Sequence, residues 1–148
     1  MKRNSDLIIY FKDSKEKNYM DFISLMINSG FRFIKQKHLN AKKITYKQVS
    51  STKTTSRGDC IIFFSKSNAK LKENNTTNLS KDGLVELIIK SVKEYLNKNQ
   101  KASTGELLDN VIYYQIISSN LMYELNEKEI IKLLDANFNF VENLWELK

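Results

Sequence analysis

The 148-residue chain contains no proline, where average usage is about 5%. It has one cysteine, Cys60, and one histidine, His38. A lone cysteine excludes an internal disulfide and a cysteine-based zinc cluster. With one histidine, a metal site would need several carboxylates gathered around it, and the sequence gathers none, so no metal is expected. The four glycines, Gly30, Gly58, Gly83 and Gly105, are far apart from one another. No run of about 18 apolar residues occurs, so no transmembrane helix is expected. The apolar run Leu7 to Phe11 is too short for a signal-peptide core and is followed at once by Lys12 and Asp13. A cytoplasmic chain without a membrane partner is the expectation.

Hydrophobic residues make up 41% and charged residues 28%, a balance that supports a folded core and argues against disorder. The length suits one ordinary domain or two small ones. The net charge of +7 is unevenly placed: residues 1–68 carry 14 Lys and Arg against 5 Asp and Glu, and residues 69–148 carry 10 against 12. The first part is therefore +9 and the second −2. Lys35, Lys37, Lys42, Lys43, Lys47, Lys53 and Arg57 follow one another with no acidic residue between. A one-sign stretch beside aromatics suits a polyanion such as nucleic acid. A solvated, lysine-rich surface is the other reading of the same residues.

Periodicity divides the chain. Leu7 to Phe11 reads as a strand buried on both faces. Tyr19, Phe22, Ile23, Met26 and Ile27 recur at three- and four-residue spacing, one face of a helix, with Gly30 as a left-handed C-terminal cap. Phe31 to Gln36 reads as the next strand, Ile44 to Val49 as a short strand, and Ile61 to Phe64 as another buried strand entered through a turn at Arg57-Gly58-Asp59. Two strands joined by a helix predict a crossover unit. The last strand follows a loop with no helix, so it can pair antiparallel with its predecessor. Residues 67–81 are polar and read as a linker between a first unit, 1–66, and a second, 82–148.

The second unit reads as helical. Asp82 is a candidate cap for a helix whose core face is Leu84, Val85, Ile88, Ile89, Val92 and Leu96. Ser103 with Glu106 has capping-box spacing, ahead of Leu107, Leu108, Val111, Ile112 and Ile116. Asn126 with Glu129 repeats it ahead of Ile130, Ile131, Leu133 and Leu134. Phe138, Phe140 and Val141 then precede a turn at Glu142-Asn143, and Trp145 is the expected anchor of the tail's core. Three helices and a terminal β-like segment fit a winged-helix-like domain or a plain helical cap.

The order strand, helix, strand, hairpin loop, strand resembles the later part of the catalytic sheet in SAM-dependent, amino-methylating DNA methyltransferases of the adenine-specific type. The segments DLIIYFKD, SLMINSGFRF and TTSRGDCIIFFSK carry the resemblance, and the stretch from KDGLVELIIKSVKEYLNKNQ to NLWELK resembles the helical tail of some large members. The resemblance implies an α/β fold: a partial methyltransferase-like (Rossmann-like) sheet ending in an antiparallel hairpin, followed by a small helical or winged-helix-like tail. It further implies that the loop before the last strand, Tyr46 to Arg57, lies near a base flipped out for methylation. The candidate nucleic-acid-binding residues are Lys42, Lys43, Tyr46, Lys47, Lys53, Thr55 and Arg57. Lysine and arginine meet phosphates, hydroxyls bond phosphate or base edges, and Tyr46 has the ring to stack on an unpaired base. A strand-edge aromatic packed on the sheet is the other reading of Tyr46, and the one its place in the expected short strand favours.

Two departures from that family are decisive for chemistry. The cofactor turn of form FxGxG needs closely spaced glycines so that backbone can approach the cofactor, and the glycines here are isolated. The catalytic loop of form (D/N/S)PP(Y/F/W) needs prolines, and there are none. No catalytic or cofactor-binding residue is therefore expected in this chain. SAM would be bound by the intact enzyme, with a separate chain carrying the missing motifs and DNA as the shared partner. A DNA-binding or protein-interaction module without enzymatic activity is the alternative. The tail's charge and the absence of Lys or Arg from Leu107 to Ile116 argue against a basic recognition helix there. Cys60 reads as a buried structural thiol, His38 as a surface histidine, and Asp6 and Asp13 as solubility or capping groups at the two ends of a strand.

Overall fold

The computed structural model describes residues 6–12, 16–39, 59–66 and 79–148. Over these residues the chain is mixed α/β, with two small antiparallel sheets and several helices. Strand β1 (Asp6–Phe11) leads into helix α1 (Glu16–Asn28), then β2 (Phe31–His38) and β3 (Cys60–Lys66). The sheet order is β1-β3-β2, and β3 is antiparallel to both neighbours. The first two strands therefore run parallel to each other, joined through α1, with β3 inserted between them. The expected crossover and the expected hairpin are both present.

Helix α1 presents Tyr19, Met20 and Ile23 to the core, the face that three- and four-residue spacing demands. It ends at Gly30, whose φ of 84° is the left-handed cap conformation that costs glycine least. Phe64, fully buried in β3, meets the rings of Phe22, Phe31 and Phe33 at centroid distances of 6.2, 6.5 and 6.1 Å, all edge-on. Each such pair contributes about 0.5–1.5 kcal/mol beyond the area it buries.

Strand β1 is not buried on both faces. Leu7, Ile9 and Phe11 turn toward the core, whereas Ile8 and Tyr10 remain 62% and 57% exposed. The core packs on the face that carries Leu7, Ile9 and Phe11, and Ile8 and Tyr10 point the other way. That outer face places Ile8 beside Phe63 and Lys35, and Tyr10 beside Ile61 and Lys37. A register shift between Phe33 and Lys35 marks a bulge in β2.

In the second part, α2 (Lys81–Asn99) buries Leu84, Ile88, Val92 and Leu96 along one stripe. Its N-cap is Ser80, not Asp82: the Ser80 side chain accepts from the Gly83 amide, and Asp82 falls in the first turn. The expected linker therefore ends before Ser80, and its residues 67–78 lie outside the described residues. Strand β4 (Lys101–Ala102) is followed by α3 (Thr104–Leu107), a π-helical turn (Leu108–Ile112) and α4 (Tyr113–Ser118). Both expected capping boxes form, at Ser103 with Glu106 and at Asn126 with Glu129. Helix α5 (Glu127–Asn137) leads into β5 (Phe138–Val141) and β6 (Leu144–Leu147). The turn between them has Glu142 and Asn143 at φ 51° and 65°, both positive as a type I′ hairpin requires. Strand β4 joins this hairpin in a sheet of order β4-β6-β5.

Trp145 is fully buried, and its Nε1–H donates to the Oγ1 of buried Thr104 at 2.9 Å. It anchors the tail as its sequence position suggests. The buried residues of both parts form one continuous apolar cluster. No helix among the described residues is long and apolar enough to cross a membrane.

Candidate nucleic-acid interface

All seven residues that the sequence nominates for nucleic-acid contact, Lys42, Lys43, Tyr46, Lys47, Lys53, Thr55 and Arg57, lie outside the described residues, as does the short strand expected at 44–49. The ends of that segment are placed. The Leu39 amide donates to the Asp59 carbonyl at 2.8 Å, one step beyond the His38–Cys60 pair of the β2–β3 ladder. The segment thus leaves and re-enters the sheet at one point.

Around that point lies a cleft of about 620 Å³ between β2 and the stretch from Ser103 to Asn110. Strand β2 supplies Lys35, Gln36, Lys37 and His38 to one wall. Lys35 and Lys37 are exposed and alternate with Gln36 along the strand, so both face outward while Gln36 turns in. Lys35 Nζ sits 5.0 Å from the centroid of Phe63, within cation–π range. Among the described residues, neither lysine is in an ion pair.

Behind the cleft a polar network crosses between the two parts of the chain. Gln36 is 3% exposed, and a buried amide must find partners. Its Oε1 accepts from the Tyr19 hydroxyl, and its Nε2 donates to Asp109 Oδ1 at 2.8 Å. Asp109 Oδ2 accepts from the His38 backbone amide at 2.7 Å, and Oδ1 lies 2.5 Å from His38 Nδ1. Asp109 belongs to the π-helical turn, in which the Tyr113 amide reaches back to the Leu108 carbonyl. Such single wide turns recur where a helix must re-aim a side chain. His38 is therefore not a free surface histidine. A carboxylate fixes its ring, so Nδ1 carries the shared proton and Nε2 is the ring's remaining polar atom.

Burial pushes the Tyr19 hydroxyl well above its ordinary range, reinforced by the charges of Tyr113, Cys60 and Asp109. Cys60, paired with His38 in the ladder, is buried, and burial pushes its thiol up to about 12, with Asp109 and Asp59 adding to the effect. A thiol held there is not a thiolate at neutral pH, so proximity to His38 does not make a nucleophilic pair. The structural reading of Cys60 stands. Among the described residues no group of three or more His, Cys, Asp or Glu is placed to hold a metal ion.

The carboxylates of the cleft are engaged internally. Glu106 accepts from the Ser103 amide and hydroxyl at 2.7 and 2.9 Å, and Asp109 serves Gln36 and His38. Among the described residues that line the cleft, the basic side chains in no ion pair are Lys35 and Lys37, with the His38 ring beside them. Sequence reading includes the two lysines in its basic run but misses Gln36, His38 and Asp109. The one local signal is Asp109 itself, a carboxylate set among the buried positions Leu107, Leu108, Val111 and Ile112.

No protein-family profile, no curated protein and no solved structure matches this chain.

Proposed function

We propose that the chain is a fragment or subunit of a SAM-dependent, amino-methylating DNA methyltransferase. It contributes DNA contacts and the end of the α/β sheet, and it is inactive without a separate chain that carries the cofactor and catalytic motifs. The observation that carries this reading is the β2–β3 hairpin. Its intervening residues 40–58 contain five Lys and Arg and no Asp or Glu, and it is rooted beside the Lys35 and Lys37 row. Strand, helix, strand, hairpin loop and strand occur in the order that the resemblance requires. The sequence supplies no FxGxG or (D/N/S)PP(Y/F/W) motif, so cofactor and chemistry belong to the partner.

The tail supports a winged-helix-like reading through its three helical stretches, the short strand β4 and the terminal hairpin. Its α5 carries Lys128 and Lys132 against Glu127, Glu129 and Asp135, a poor match to a phosphate-lined groove. We read it as a protein-facing cap and assign DNA contact to the β2–β3 hairpin. The alternative, a protein-interaction module without enzymatic activity, is favoured by the exposure of Ile8 and Tyr10 on the outer face of the first sheet.

The test is fluorescence anisotropy of the full chain with a short DNA duplex across a salt series, with calorimetric titration of SAM alongside. DNA binding that weakens steeply with salt, without SAM binding, is expected. Replacing Lys35 or Lys37 by Ala should lower the salt slope by about one per lysine that meets a phosphate. Absence of DNA binding at low salt would remove the DNA role, and SAM binding would overturn the division of labour.

A further inference from the structure

Among the described residues, the first sheet leaves one edge of β1 unpaired. Strand β1 pairs with β3 on one side only, and its sequence, DLIIYF, has four aliphatic or aromatic residues of high β-propensity and no proline. Exposed edges of this kind are templates for another strand unless a charge, a bulge or a covering element blocks them. Here the bulge sits in β2, and no described element covers β1.

We infer that this edge pairs with the same edge of a second copy of the chain. Asp6, Ile8, Tyr10 and Lys12 are exposed, and the alternation of the strand puts them on one side. An antiparallel pairing about a two-fold axis through Ile9 sets Ile8 opposite Tyr10, Leu7 opposite Phe11, and Asp6 opposite Lys12 of the other copy. Every outward residue then meets a complementary one, and both ends of the ladder close with opposite charges. Isologous contact of this kind needs a patch complementary to itself under rotation, and β1 has it in this register. Moving the axis to Ile8 sets Asp6 opposite Tyr10 and takes Lys12 past the described end of the other copy's strand. Moving it to Tyr10 sets Ile8 opposite Lys12. The charges therefore select the Ile9 register, since cross-strand pairs of opposite charge stabilise and like charges directly opposite destabilise. The product is a six-stranded antiparallel-centred sheet of order β2-β3-β1-β1-β3-β2.

In a sheet shared with a separate catalytic chain this edge would be the one that joins it, so self-pairing describes the chain apart from that partner, and its test reads the chain alone and does not involve DNA. Sedimentation of the full chain over a wide concentration range should show the mass rising from 17.3 kDa toward twice that value. Asp6→Lys and Lys12→Asp each place like charges opposite one another twice in the dimer, and each should weaken association by about tenfold or more. The double exchange D6K/K12D restores opposite charges and should recover the parent behaviour. Both positions are exposed, so the fold should survive. Should either variant misfold, hydrogen exchange on the parent chain still decides: the outward-pointing amides of Leu7 to Phe11 should gain protection as concentration rises. A monomer at every concentration, β1 amides indifferent to concentration, or a dimer unaffected by either single exchange would overturn the inference. Association of the chain only with a different polypeptide through β1 would assign the edge to that partner instead.

Discussion

His38 and Asp109 are 71 residues apart in sequence and 2.5 Å apart at Nδ1 and Oδ1. The same carboxylate also holds the His38 amide and the buried Gln36 side chain, so one residue of the helical part organises the end of β2. Removing it strands three donors. Asp109→Ala should destabilise the fold by about 3 kcal/mol, the upper range for leaving buried polar groups unsatisfied. Asp109→Asn should cost less, because one oxygen acceptor is kept. Urea denaturation measures both, and a shift below about 0.5 kcal/mol for the alanine variant would mean that water replaces the carboxylate at no cost.

What the sequence makes legible here is local, and what it hides is long-range. Both capping boxes are visible because donor and acceptor lie three residues apart, and Gly30 is visible because one residue type suits its conformation. The His38–Asp109 pair and the π-helical turn that carries Asp109 have no local signature beyond a carboxylate among apolar neighbours. The exposure of Ile8 and Tyr10 is hidden for another reason. An apolar run says that a strand can be buried on both faces, but whether a second layer exists to bury it is decided elsewhere in the fold.

The Cys60 thiol gives a pH prediction. Its folded-state pKa of about 12 lies above the ordinary 9.0, so the neutral form is favoured in the fold. The contribution to stability is fully present below pH 9 and is lost as the pH rises toward 12, because the unfolded chain ionises first. Alkylating reagents at pH 8 should therefore label Cys60 only after denaturant is added. The slope of stability against pH above 9 should flatten in Cys60→Ala. Rapid labelling of the native chain would contradict the burial.

The two capping boxes should behave alike in one respect and differently in another. Ser103→Ala and Asn126→Ala should each cost about 1 kcal/mol, the usual loss of a side-chain cap. The Asn126 amide, and then Lys81, hold the Glu129 carboxyl below its ordinary 4.5. Its contribution is present above that value and is lost as the pH falls through the lower folded-state value. The stability gap between the parent and Glu129→Ala should accordingly narrow in acid, as followed by thermal melts from pH 6 down to about pH 3.

The bond from Leu39 to Asp59 reaches further than its single 2.8 Å contact. Once both ends of a chain segment are pinned at neighbouring points, lengthening it is cheap: a doubling adds only about 0.6 kcal/mol of closure entropy. The strands on either side are held by their own ladder and by the Phe64 cluster. The described ends of the sheet thus form a socket that a joining segment of another length can close at little added entropic cost.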